Sequence, residues 1–239
     1  MDDQGGNIAT SLHAWNLAPK QAMALQTQLA KRLVLSDRID PVQHIAGVDI
    51  GFEDQGATTR AAVVVLRWDP SAASHLAVVE EVVHREPTRM PYIPGLLSFR
   101  EIPAALGAFE KLSVTPELVM VDGQGIAHPR RLGVAAHLGL WLDLPTIGIA
   151  KSRLTGRHAE VGEARGDWVP LTAGGEVIGA VLRSRAKVKP VFVSPGHRLC
   201  LDTSLCWVMR CLGATKLPEP TRLADRLASQ RDEKRAPAR

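Results

Sequence analysis

Three carboxylates of this chain stand where acids could do chemistry. Asp49 lies in Ala46-Gly-Val-Asp-Ile-Gly-Phe52. Ala46, Val48, Ile50 and Phe52 alternate there as on the buried face of a strand, so Asp49 points to the other face. Asp122 closes the short apolar run Leu118-Val-Met-Val121 and opens Asp122-Gly-Gln-Gly125. A carboxylate in such a place costs free energy unless it is paired or metal-bound. If the two strands are neighbours, their backbones lie about 4.8 Å apart and both acids can converge on one ion. Phosphodiester hydrolysis needs this, because acidic side chains can hold Mg2+ against a phosphate that would otherwise repel them. Glu101 is the third acid. Ser98-Phe-Arg-Glu101 also fits a helix-capping box, but Pro103 weakens that reading, since it would fall at the fifth helical position.

Groups suited to phosphate lie on other segments. His128 stands in Ala-His-Pro-Arg-Arg ahead of a buried helix, and a helix start with nearby Arg can seat a phosphate. Lys151 ends a buried strand, where it serves either as a point charge for phosphate or simply for solubility. Gly196-His197-Arg198 and Asp202 bracket the expected start of the last helix, where Asp202 also reads as a simple cap or dipole partner. Pro91-Tyr92-Ile93-Pro94 holds the chain's single tyrosine between prolines. A stiff apolar loop of that kind can insert between stacked bases; its plain alternative is a turn that tucks Tyr92 into the core.

The elements that must position these groups follow from periodicity. Ala22, Leu25, Leu29 and Leu33 mark a helix over 18–36. Strands over 45–52, 59–68 and 76–83, joined by short turns, read as an antiparallel meander. A helix over 98–112, a strand over 118–121, a helix over 131–143 that is apolar nearly all round, and a strand over 145–151 come next. Residues 155–167 read as a polar surface excursion, 177–182 and 191–193 as late strands, and Leu201, Leu205, Val208, Met209 and Leu212 as a helix. The order βββαβαβ implies one α/β domain with a mixed sheet, over 18–225. Residues 1–17 and the charged tail after Pro218 read as poorly ordered.

Composition sets bounds. The chain has 239 residues, 29 Lys+Arg against 25 Asp+Glu, a net charge of +4 and a pI of about 9.2. That balance permits a nucleic-acid partner without demanding one. No apolar run reaches the roughly 18 residues of a membrane helix, and the N-terminus lacks a secretory pattern. Cys200, Cys206 and Cys211 show no C-x-x-C, which argues against disulfide scaffolding and structural zinc. A reducing cytoplasm and a monomer are expected.

Taken together, these motifs resemble the endonuclease V (deoxyinosine 3′ endonuclease) family over roughly residues 40–225. The likeness rests on Ala-Gly-Val-Asp-Ile-Gly-Phe, Met-Pro-Tyr-Ile-Pro-Gly-Leu-Leu-Ser-Phe-Arg-Glu, Val-Asp-Gly-Gln-Gly-Ile-Ala-His-Pro-Arg-Arg-Leu-Gly, Pro-Thr-Ile-Gly-Ile-Ala-Lys and Gly-His-Arg. The resemblance implies a ribonuclease H-like fold, a mixed central sheet flanked by helices. It implies that Asp49, Asp122 and Glu101 bind metal, Mg2+ with Mn2+ as a substitute. It places Lys151, His128 and His197 in the catalytic site, and Tyr92 with Pro91, Ile93 and Pro94 in a strand-separating wedge. Leu97 and Gly123 are the expected base-pocket residues. Many members have His where this chain has Gln124. The implied activity is cleavage at the second phosphodiester bond 3′ to deoxyinosine in DNA, leaving a 3′-hydroxyl and a 5′-phosphate. An endoribonuclease acting on inosine in RNA is the nearest alternative. A small-molecule kinase of related core, suggested by Gly-Val-Asp-Ile-Gly, and a non-catalytic nucleic-acid binder are further ones.

Overall fold

The computed structural model describes residues 12–72 and 74–229. Eight strands form one mixed sheet: β1 (His44–Glu53), β2 (Thr58–Trp68), β3 (Leu76–Pro87), β4 (Leu118–Asp122), β5 (Thr146–Ala150), β6 (Trp168–Ala173), β7 (Glu176–Leu182) and β8 (Val191–His197). Their spatial order is β3-β2-β1-β4-β5-β8-β7-β6. The meander pairs antiparallel, β4 and β5 run parallel to β1, and β8, β7 and β6 complete the sheet antiparallel. This is the ribonuclease H-like arrangement with extra strands at one edge. Asp49 and Asp122 thus sit on adjacent strands, which meets the condition for their carboxylates to converge.

Helices cover both faces. α2 (Leu97–Phe109) and α3 (Val134–Leu142) pack on the face carrying Ala46, Val48, Val119 and Val121. α4 (Leu201–Arg210) packs on the face carrying Leu118, Met120, Ile147 and Val193. α5 (Glu219–Ser229) lies on that second face too, against Val64 and Leu66. α1 (Pro19–Ala30) is shorter than its periodicity suggested and closes over α2 and α3 through Ala22 and Leu29.

Three expectations change. The stretch after Pro218 is helical through Ser229, with Thr221, Ala224 and Ala228 buried. Its many charges hide a narrow stripe of small residues at three- and four-residue steps. Residues 12–17 are packed: Leu12 and Trp15 contact the main core, and His13 Nε2 meets His137 Nε2 at 2.8 Å. Residues 1–11 and 230–239 lie outside the described residues. β6, at the sheet edge, has no counterpart in the sequence reading. Its residues alternate poorly, and Pro170 sits within it, as an edge strand tolerates. Among the described residues no helix is long and apolar enough to cross a membrane.

Candidate active site

The site begins with the spacing Gly47-Val-Asp49-Ile-Gly51. These glycines and Asp49 share one face of β1, the face that α5 covers. A Cβ on Gly47 would come within 1.9 Å of the Pro220 carbonyl oxygen, and one on Gly51 within 3.2 Å of that of Ala228. α5 therefore lies almost on the strand backbone. Four strand residues span about 13 Å, and eight helix residues span about 12 Å. The two registers match, so Asp225 falls opposite Asp49. Glycine here makes room for a helix.

Asp49, Asp122 and Asp225 each offer a carboxylate oxygen, and these oxygens lie within 4.8 Å of one another. Burial lifts the Asp49 carboxyl to about 7, with the charge of Asp122 adding to it. Asp122 is raised as well, by burial, although its hydrogen bond from Lys151 opposes the shift. Lys151 Nζ lies 2.6 Å from Asp122 Oδ2 and 2.5 Å from Asp225 Oδ1. Partial burial works against that ammonium, but its two carboxylate hydrogen bonds prevail and hold it above the ordinary lysine value. Lys151 gives one positive charge to three acids, so the cluster stays short of cation. Hard oxygen donors in this number suit a divalent ion.

Glu101 projects from the second turn of α2 and is only 6% exposed. Burial, reinforced by Asp49 and Asp122, pushes its carboxyl well above the usual range. It is not one of the three carboxylates whose oxygens lie within 4.8 Å of one another; the third of those is Asp225, which the sequence reading did not name. The capping box is absent, because the helix N-cap is Leu96 and Ser98 lies inside the helix. Pro103 falls at the seventh helical position.

A cavity of ≈ 380 Å³ adjoins the cluster. Tyr92, Leu97, Gly123, Gln124, Asp122 and Lys151 are among the residues that line it. Tyr92 is 66% exposed, so it is not tucked into the core. Pro94 shares this rim. Pro91 is exposed, while Ile93 packs on the Met90, Leu96 and Phe99 cluster and anchors the loop. His128 also lines the cavity. Its Nε2–H donates to the Gly95 carbonyl at 3.1 Å, and its Nδ1 accepts from Arg130 N–H at 3.1 Å. Burial, followed by the Arg130 charge, depresses it to about 4, so it is neutral at physiological pH. Gln124 donates to the Ser152 carbonyl at 3.0 Å, while its Oε1 is buried without a partner.

His197 is not brought to this site. It pairs with Thr146 at the start of β5, whereas Asp122 pairs with Ile149 near the other end of that strand. Its Nε2–H points to Asp143 Oδ1 at 3.3 Å and its Nδ1 accepts from Val34 N–H at 3.3 Å. It thus fastens the 31–38 segment to α3's end. Gly196 and His197 belong to β8, and the next helix starts only at Leu201. Asp202 is exposed in that helix's first turn.

The sequence model of the family described as Endonuclease V matches residues 27–226. The chain belongs to the endonuclease V family. Endonuclease V of Azotobacter vinelandii is 57% identical over 217 residues, which cover 91% of this chain and 96% of that protein. The crystal structure of the Streptomyces avermitilis family member superposes with a TM-score of 0.82 at 40% identity, over 90% and 93% of the two chains. The Ciona intestinalis family member, solved in complex with a DNA 23-mer containing an inosine followed by a ribo-adenosine, superposes with a TM-score of 0.74 at 26% identity, over 89% and 97%. Membership makes the chain an enzyme, a nuclease hydrolase acting on DNA, with the mixed-sheet fold found here. Asp225 is the functional candidate that sequence reasoning missed. The Thr221, Ala224, Ala228 stripe was the available signal.

Proposed function

We propose that this chain is a Mg2+-dependent repair endonuclease that recognises hypoxanthine in DNA. It hydrolyses the second phosphodiester bond 3′ to the lesion. The observation that carries this reading is the three-carboxylate cluster opening beside a base-sized cavity with an exposed aromatic rim. The inosine-containing DNA bound by the Ciona relative supports the substrate class.

Asp49, Asp122 and Asp225 would hold the metal. When bound, Mg2+ supplies charge neutralisation at the phosphate and lowers the pKa of water. The extruded base enters the cavity past Tyr92, whose ring fills the gap in the stack. Water oxygen attacks phosphorus and the bond to the 3′ oxygen breaks, which leaves a 3′-hydroxyl and a 5′-phosphate. Glu101, its pKa raised by burial and by the charges of Asp49 and Asp122, would accept the water's proton. Lys151 steadies the charge that grows on the phosphoryl oxygens. Neutral His128 holds the loop below the cavity rather than donating a proton.

Further lysines extend the phosphate track. Lys216 follows α4, and the Ser184 hydroxyl donates to its carbonyl at 2.6 Å. Burial lowers its pKa, the charges of Lys189 and Lys151 lower it further and that of Asp122 opposes them, which sets the Lys216 ammonium within electrostatic reach of Lys151 and Asp122. These lysines suit the nucleic-acid backbone leaving the carboxylates.

The test is a Mg2+ titration with an end-labelled duplex carrying one deoxyinosine, beside a matched RNA and an undamaged duplex. A single cut at the second 3′ bond of the DNA, lost in chelator, is expected. Equal cutting of the undamaged duplex, or cutting of the RNA alone, would overturn this reading.

A further inference from the structure

One backbone oxygen at the foot of the exposed loop gathers three donors. The Gly95 carbonyl accepts from Gln26 Nε2 at 3.0 Å, from Arg130 Nη2 at 2.7 Å and from His128 Nε2 at 3.1 Å. A carbonyl has two lone pairs, so three donors, one of them charged, are full occupancy. Gln26 comes from α1 and is 1% exposed. Both N–H groups of its amide are used, since Nε2 also donates to the Leu132 carbonyl at 3.2 Å, and Oε1 accepts from Arg130 Nε at 2.6 Å. Gln26 therefore lines the cavity with no N–H left to read a base.

Gly95 is built for this contact. Its φ of +79° is a conformation that other residues avoid. A Cβ there would press to 2.8 Å from the Arg130 guanidinium. Gly95 lies three residues after Tyr92 and two before the first residue of α2, which carries Glu101 in its second turn. Fixing this one oxygen fixes the pose of the rim aromatic and the start of the Glu101 helix against the 126–132 loop.

We infer that Gln26, with Arg130, is a positioning residue for the wedge: the pair locks the Gly95 carbonyl so that Tyr92 is already posed when duplex DNA arrives. This rests on the proposed recognition of inosine in duplex DNA. Pre-posing matters because an ordered loop loses little entropy on insertion. Single-stranded substrate has no stack to open, so it needs the lock far less.

The experiment compares kcat/KM on inosine-containing duplex and single strand for the parent, Gln26→Leu and Gln26→Glu. Leu removes all the amide's hydrogen bonds. Glu can keep the Arg130 contact but cannot donate to Gly95 or Leu132. Both variants should lower the duplex-to-single-strand ratio at least tenfold. In metal-free protein, 2-aminopurine placed beside the lesion should show less unstacking at saturating enzyme. A duplex-to-single-strand ratio equal to the parent's, or a Glu variant that behaves like the parent, overturns the inference. If Gln26→Leu does not fold, Arg130→Lys keeps the charge, loses the paired Nε and Nη2 contacts, and carries the same criteria. A parent enzyme that fails to cut either inosine substrate would instead overturn the proposed function.

Discussion

At one end of β5, Asp49, Asp122 and Asp225 crowd around a single ammonium, and Asp49 is pushed to about 7. At the start of the same strand, His197, Asp143 and Arg198 form another polar group, and there each member has found its complement. His197 gives one ring nitrogen to a carboxylate and takes a backbone N–H on the other. Both clusters hold residues that chemistry favours, and only one is electrostatically frustrated. Frustration of that kind marks a site that awaits a cation, whereas a satisfied cluster marks a joint.

The comparison breaks most sharply at the ligands. Asp225→Ala and Asp122→Ala should each abolish Mg2+-supported cleavage while inosine-DNA binding persists. Substantial cleavage by Asp225→Ala at ordinary Mg2+ would remove α5 from the site. Glu101→Gln should cost at least ~100-fold in kcat, by analogy with removal of one electrostatic element from a site. Near-native turnover would leave Glu101 as a helix residue only.

Tyr92→Ala should weaken lesion binding by about 1–3 kcal/mol, the range for one base–aromatic contact. The loss should appear as poorer discrimination between inosine-containing and undamaged duplex, with an unchanged melting temperature. A lowered melting temperature with intact discrimination would make Tyr92 a packing residue.

Proton linkage sharpens the contrast. Asp49 holds its proton up to about 7 when folded, against 3.8 for a free side chain. Between those values the metal-free native state binds more protons than the unfolded chain, so this contribution to stability declines as pH rises through the window. Mg2+ competes with those protons, so it should raise the melting temperature more at pH 8 than at pH 5. Asp49→Asn should flatten the pH dependence, and an unaltered profile would show that Asp49 is not strained. The smallest effect is expected at the joint. His197→Asn should lose about 1 kcal/mol of stability, the worth of one hydrogen bond, and keep turnover within twofold. A collapse of turnover with stability intact would return His197 to the chemistry.

Much of this was legible in the residues. Alternation over 46–52 put Asp49 on the face opposite the apolar one, and the run ending at Asp122 marked the second acid at a strand end, while the pairing of the two strands came only from the structure. Pro103 was reason to doubt that Ser98 and Glu101 form a capping box, and the helix does start at Leu97 without one. Asp225 was not legible for a physical reason. Its helix buries small residues against glycines, and Leu223 and Leu227 are its only large apolar side chains among many charges, so its stripe is easily read as a frayed charged tail. His197 lies away from the carboxylates because a motif reports only that residues belong together in sequence, and β8 carries it to the start of β5, opposite Thr146. The Gly95 lock was invisible because its key donor comes from α1, nearly seventy positions upstream.

The glycine-lined seat of α5 has a consequence for synthesis. Asp225 is encoded after all eight strands, so the third carboxylate is the last of the cluster to be made. Chains emerge N-terminus first, and an unfinished copy holds two acids and Lys151 but not the full cation site. A copy that ends before α5 therefore lacks both the third acid and the helix that covers Gly47 and Gly51.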